Sequence, residues 1–297
     1  MPDINWYPGH MAKSRAMLRE QLRGVDAVIE LCDARAPRAS RNPDLDALAQ
    51  GKARVLVLNK ADLADEAATR IWLNHFRDRG LKAIKVNSVG GSARESLAAI
   101  RDAAAPKVER MAARGVNKTV RAMVVGIPNV GKSTFINRLF GSAVAKASDR
   151  PGVTRARQWV RVGPYLELMD TPGMLWPRLS DQNGALALAF LGSVGEQALD
   201  VERVARSLLD VLYAIAPQAA EARFRAGIGG QGDLLERACA GRGWLLSGGR
   251  LDEARGAALV LDEFRAGKVG RITLELPDRS FVAVRPAEQE AADSDDE

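Results

Sequence analysis

The sequence predicts an α/β fold, a mostly parallel sheet with helices on both faces, followed by a smaller C-terminal α-helical domain. Short apolar, β-branched runs at 25–32 (VDAVIELC), 54–58 (RVLVL) and 82–87 (KAIKVN) alternate with helical patterns such as AATRIWLNHFRDRG. That is the rhythm of buried parallel strands joined by crossover helices. A further strand at 121–127 (RAMVVGI) feeds a glycine-rich turn and then a helical stretch, STFINRLFG. Beyond residue 178 the strand signals stop. There VERVARSLLDVLYAIA places Val204, Leu208, Val211, Leu212 and Ile215 on one helical face.

The remaining elements follow in order. Residues 101–120 (RDAAAPKVERMAARGVNKTV) interrupt the pattern with Pro, Gly and basic residues, and read as a connection between two parts of one sheet. QWVRV and YLELMD form an expected antiparallel pair, the second ending in DTPG, while GDLLERACAGRGW and DEARGAALVLDEFRAG read as helices. The expected limits are 1–177 for the α/β domain, 178–285 for the helical domain and 286–297 for an acidic disordered tail.

The totals bound the function. A chain of 297 residues, 46% hydrophobic, can fill two domains. Its net charge is +6, and without the six acids of EQEAADSDDE at 288–297 it rises to +12. A basic body suits a polyanionic partner. No apolar run approaches the roughly 20 residues of a membrane helix, and MPDINWYPGHMAKSR lacks the apolar centre of a secretory signal, so a soluble cytoplasmic protein, acting as a monomer and without membrane contact, is expected. Cys32 and Cys239 stand far apart in a strand and a helix; they read as small buried hydrophobes.

The chemistry begins with GIPNVGKS at 126–133, which matches GxxxxGK[ST] through Gly126, Gly131, Lys132 and Ser133. It follows a strand and opens a helix, the context that a phosphate-binding loop requires. Backbone amides of Asn129, Val130 and Gly131 curl inward, and the helix N-terminus adds partial positive charge. Lys132 is expected at the β- and γ-phosphates, Ser133 on Mg²⁺ and Thr134 near the α-phosphate. Asn59, Lys60, Ala61 and Asp62 close an earlier strand. The Asp62 carboxylate can accept from N1 and N2 of guanine, donors that adenine lacks, so GTP or GDP is preferred over adenine nucleotides. Asn59 would tie this loop to the phosphate loop, Lys60 would cover the base face, and Asn87 with Ser88 suits a loop approaching guanine O6. In Asp170-Thr171-Pro172-Gly173, Asp170 can hold Mg²⁺ through water and the Gly173 amide can sense the γ-phosphate. Thr154 of DRPGVTR is the candidate for a mobile loop over the metal, with a plain turn as the alternative.

In ordinary guanine-nucleotide switches the phosphate loop precedes NKxD; here it follows. The order NKAD, NS, GIPNVGKS, DTPG resembles the circularly permuted GTPases, and WYPGHMAK with DARAPRASRNP resembles the ribosome biogenesis GTPase A (YlqF) family. The likeness runs from about residue 4 to 178 and continues more loosely beyond. It implies a P-loop GTPase fold in permuted order, a C-terminal RNA-contacting domain, and a GTP-hydrolysing factor in late assembly of the large ribosomal subunit, activated by a precursor particle of rRNA and ribosomal proteins. Permutation would make DTPG the last element before the helical domain, coupling γ-phosphate to RNA contact.

Met174 follows DTPG where Ras-type switches carry a water-orienting glutamine. The resemblance therefore implies a hydrophobic-substituted GTPase in which His10 handles the water. Asn129 resembles the K⁺ ligand of potassium-activated GTPases, with a loop-stabilising role as the competing account. Asp33 and Arg35 belong to the family pattern with a structural or particle-contacting role only, and His75 carries no motif. Lys13, Arg15, Arg19, Arg23, Arg237, Arg242, Arg250 and Arg255 are candidate rRNA contacts or solvated faces. A GTP-dependent signalling switch with a protein effector is the alternative function; a metabolic P-loop kinase fits poorly with NKAD.

Overall fold

The computed structural model describes residues 8–116, 119–141, 158–162, 166–171, 173, 182–195 and 199–279, with backbone only for 8–15 and 158. Contacts divide the chain into two compact units. The first holds the described residues up to Leu199 together with Gly270–Arg279, and the second holds Asp200–Val269. By contacts the second unit starts at Asp200, where the sequence suggested 178, and Gly270–Arg279 group with the first unit; residues 280–297 lie outside the described residues. Residues 184–190 are apolar throughout and buried, and they group with the first unit although they read as the start of a helical region.

The first unit is built on β1 (Ala27–Asp33), β2 (Ala53–Asn59), β3 (Lys82–Val86), β4 (Val120–Gly126), β5 (Gln158–Arg161) and β6 (Leu166–Asp170), in the order β3-β2-β1-β4-β6-β5. All neighbours are parallel except β5 and β6, the antiparallel pair at one edge. Every residue of β1 is buried, as a strand with a partner on each side and cover on both faces requires. The chain runs β1, β2, β3 in one direction and then returns to place β4 on the other side of β1. A crevice opens at such a reversal, beyond the carboxyl ends of the strands. The register brings Asn59 level with Asp33 and with Val86, Gly126 level with Leu31, and Asp170 level with Val124, so all motif-bearing strand ends face one edge.

The helices are α1 (Pro8–Arg23), α2 (Leu45–Leu48), α3 (Glu66–Asp78), α4 (Ala93–Ala112), α5 (Lys132–Phe140) and α6 (Gln182–Phe190). Pro106 does not interrupt the chain: α4 carries residues 101–112 of this stretch with Pro106 inside, and ends at Ala112 before the turn at Gly115. An interior proline removes a backbone donor and opposes the helix by about 3 kcal/mol. Here good helix formers surround it, Ser96, Ala99, Ile100 and Ala104 bury one face, and Ser92 caps the start. Lys107 reaches Asp26 at the foot of β1 at 2.6 Å, and Asp102 meets Lys82 at 2.7 Å. The segment does join two parts of one sheet, as a crossover helix from β3 to β4.

In α3, Trp72 and Phe76 pack on Cys32, Leu56 and Leu58. The Trp72 indole stacks on Phe76 and donates from Nε1 to the Glu275 carbonyl at 2.8 Å. Glu275 belongs to residues 270–279, which return to the first unit after the helical unit. There the Ile272 amide donates to Leu63 O at 3.1 Å, the Leu274 amide donates to Arg35 O at 2.7 Å, and Glu275 accepts from the Ala39 amide at 2.9 Å.

The second unit packs α7 (Val201–Ile215), α8 (Pro217–Phe224), α9 (Leu234–Arg242) and α10 (Glu253–Arg265). Asp200, Asp233 and Asp252 cap α7, α9 and α10 by accepting from amides of the first turn. Val204, Leu208, Val211 and Leu212 are buried as the periodicity predicts, but Ile215, in the last turn, is 43% exposed. Gly256 lets α10 approach closely, since a Cβ there would meet Cys239 Sγ at 2.4 Å. Both cysteines are free and buried, and burial pushes the Cys239 thiol up to about 11. No helix among the described residues is long and apolar enough to cross a membrane.

Trp72→Ala removes a fully packed indole and its hydrogen bond to the 270–279 segment. It should destabilise the first unit by about 3–5 kcal/mol, read as an earlier urea unfolding transition.

Candidate nucleotide site

The phosphate loop leaves β4 at Gly126 and enters α5 at Lys132, and its glycines are sterically enforced. At Gly126 a Cβ would lie 2.7 Å from Leu31 O. Gly131 has φ +94°, and a Cβ there would lie 2.5 Å from Asn59 Nδ2. Asn129 also adopts a left-handed conformation, φ +58°, which asparagine tolerates better than most residues. Lys132 curls back to donate to Gly126 O at 3.0 Å and Ile127 O at 2.8 Å. Burial lowers its ammonium to about 8, with the Asp170 carboxylate acting in the opposite direction.

The Asn59–Asp62 loop meets it from the end of β2, across the intervening β1. Asn59 donates from Nδ2 to Val130 O at 2.8 Å and accepts from the Ser88 hydroxyl at 2.6 Å. Lys60, with φ +57°, donates to Asn129 O at 2.7 Å and lies 3.1 Å from Asp33 Oδ2. Asp33 is buried. Burial alone would raise its carboxyl, but Arg35 and Lys60 outweigh that and hold it well below the usual carboxylate range. Ala61 and Asp62 are half-buried at the rim. Asn87 turns its carbonyl oxygen to the Val89 and Gly90 amides, both at 2.9 Å, and so shapes its own loop, while Ser88 serves Asn59.

From β6, Asp170 Oδ2 accepts from the Ser133 hydroxyl at 3.2 Å. Thr171 donates to Val124 O at 2.6 Å and holds the strand end in place. Gly173 lies against the phosphate loop: a Cβ there would meet Pro128 Cα at 2.7 Å and Lys132 Nζ at 3.1 Å. Thr134 is exposed in the first turn of α5. Thr154, Met174 and the acidic tail lie outside the described residues. His10 lies in the first turn of α1, with its side chain likewise outside them.

Two features escape the sequence reading. After α6 the Gly192 carbonyl accepts from Asn129 Nδ2 at 2.6 Å, and Ser193 donates to Pro128 O at 3.0 Å. DTPG is therefore not the last element before the helical unit; α6 intervenes and its end braces the phosphate loop. The only signal was GALALAFLGS, apolar on every face and so without periodicity. Among the basic candidates, Arg237 binds Ala226 O and Gly230 O and so folds its own loop. Arg242 pairs with Glu263 and stacks over Trp244. Arg19, Arg23, Arg250 and Arg255 are exposed. His75 packs edge-on against Trp72, away from the crevice residues.

A family profile described as 50S ribosome-binding GTPase matches residues 121–222. Ribosome biogenesis GTPase A of Bacillus cereus is 41% identical over 96% of this chain and 98% of its own. Two solved structures of YlqF, one of them named as from T. maritima, are similar. The GDP-bound form has a TM-score of 0.65 with 26% identity and covers 89% of this chain and all of its own; the GNP-bound form has 0.61 with 27% identity, over 90% and 99%.

Lys132 sets a pH dependence. Its folded value lies below that of an ordinary lysine, so the penalty for burying its charge is present in full below about pH 8 and is relieved as pH rises towards 10.5. An anionic phosphate favours the protonated form. GDP affinity measured by calorimetry should therefore be flat below pH 8 and fall above it, by up to about tenfold per pH unit, with proton uptake on binding. With the phosphate loop, the NKAD loop and Asp170 drawn to one sheet edge, and with a 41% identical relative matched over 96% of this chain, the protein belongs to the ribosome biogenesis GTPase A family of circularly permuted GTPases.

Proposed function

We propose that this protein binds and hydrolyses GTP and acts in late maturation of the large ribosomal subunit, with the precursor particle as its activator. The observation that carries the reading is the junction at Asn59, which joins the base loop to the phosphate loop although the chain visits them in reversed order. The names of the relatives supply the ribosomal context, and the chain's basic balance agrees with an rRNA-rich partner.

In this reading Asp62 accepts from the guanine edge, Lys60 covers the base, and the amides of Asn129 to Lys132 surround the phosphates. Phosphate draws Lys132 away from the Gly126 and Ile127 carbonyls. Mg²⁺ fits the hard oxygen pair of Ser133 and Asp170, with Asp170 acting through water, and when bound it withdraws charge from the β- and γ-phosphates. Gly173, pressed on Pro128 and Lys132, is where an added γ-phosphate is felt. Thr154 completes the metal's cover and His10 orients the attacking water. For Asn129 the amide donated to Gly192 supports the loop-stabilising account, and K⁺ would use its Oδ1.

Immature large subunits should co-sediment with the protein more strongly with a non-hydrolysable GTP analogue than with GDP; equal retention in both states, and without nucleotide, would count against the assembly role. His10→Ala should lower particle-stimulated turnover by about 10²-fold or more while leaving GTP affinity nearly unchanged, as for loss of a water-positioning group. A rate equal to wild type would remove His10 from the mechanism.

A further inference from the structure

Asp33 ends β1 level with Asn59, the first residue of the base loop, and the two strand ends are tied by the Ala34 amide donating to Asn59 O at 2.9 Å. Its side chain is 1% exposed and is gripped on both oxygens by Arg35: Nε to Oδ1 at 2.9 Å, a second guanidinium nitrogen to Oδ2 at 2.9 Å, and the Arg35 amide to Oδ1 at 3.1 Å. A carboxylate held this way cannot turn. Arg35 is fixed in its turn, since its carbonyl accepts from the Leu274 amide. The Asp33 Oδ2 atom thereby presents a stationary negative charge to Lys60 Nζ at 3.1 Å.

Lys60 needs such a fixture. Its backbone is left-handed, unfavourable for a side chain with a Cβ, and a free lysine has four rotatable bonds to disperse. The Asn129 carbonyl supplies one anchor across the crevice and Asp33 supplies the other from behind the loop. We infer that Asp33 is the positioning residue for Lys60: held by Arg35, it stretches the lysine between β1 and the phosphate loop and so presets the guanine-binding face before nucleotide arrives. This rests on the guanine-nucleotide reading proposed above, and it gives the DAR triplet a task in nucleotide recognition. Neutral asparagine at 33 would turn an amide nitrogen towards one of the two cations and lose the attraction that holds Lys60.

The test is a double-mutant cycle on the full-length protein with GDP as the probe, comparing wild type, Asp33→Asn, Lys60→Met and the double variant, with thermal unfolding recorded for each. Asp33→Asn should weaken GDP binding about tenfold or more in the wild-type background and have little further effect beside Lys60→Met, the signature of two groups acting as one. A purely structural ion pair would lower the unfolding temperature without this non-additivity. Removing one partner of a buried ion pair leaves a bare charge, so a second variant, Asp33→Asn with Arg35→Met, removes anion and cation together and should show the same dependence on Lys60. Additive losses, or wild-type GDP affinity in either folded variant, would overturn the inference. Wild-type protein that binds no guanine nucleotide would instead sink the functional reading.

Discussion

One side-chain amide holds the crevice together. Asn59 donates to the Val130 carbonyl and accepts from the Ser88 hydroxyl, partners 71 and 29 residues away, and it is buried where water cannot replace either bond. Gly131 must lack a Cβ for that amide to fit. The junction is spatial, made where the ends of β2, β3 and β4 gather at one edge of the parallel sheet, so it is indifferent to the order in which the chain supplies them. Reversal of the motifs is possible because only the connection has changed. Helix α4 provides that connection, anchored at Asp26 and Lys82, across the strands it has to span.

Buried charge organises the loops around this junction. Glu30, inside β1, is pushed up by burial and drawn back by Arg41 and Arg54, and it accepts from the Asn42 amide at 2.9 Å. Asp46 sits against the same two arginines. The polar run DARAPRASRNPD is thus folded by carboxylates at fixed places, with Ser40 donating to the Ala36 carbonyl and accepting from the Asp33 amide. An isolated buried carboxylate would oppose folding strongly; grouped with arginines it specifies one loop conformation.

Much of this was legible. Short apolar, β-branched runs marked the strands, because a parallel sheet covered on both faces leaves little choice of residue. The phosphate loop and NKAD were readable because glycine conformations and hydrogen-bond donors are local properties. Contacts at a distance were not. The bracing of Asn129 by Gly192 depends on α6, whose uniform apolarity has no periodicity to read. Arg237 looks like any exposed basic residue, until its loop is seen to need three carbonyls gathered. Pro106 signals a break, yet the packing of α4 overrides the signal. Lys60 and Asp33, 27 positions apart and in different motifs, meet only because two strands end level.

The segment 270–279 closes loops that belong to the beginning of the chain: Glu275 binds amides near residue 38, a separation of 237 positions. Synthesis is vectorial, and domains generally fold as they emerge. On a translating ribosome the sheet can assemble early, but the carbonyls of Arg35 and Leu63 must wait for almost the whole polypeptide before receiving their partners. Final closure of the Arg35 and Leu63 loops is therefore a late event in the life of each molecule, and a nascent chain cut short after α10 would carry every recognised motif without its clasp.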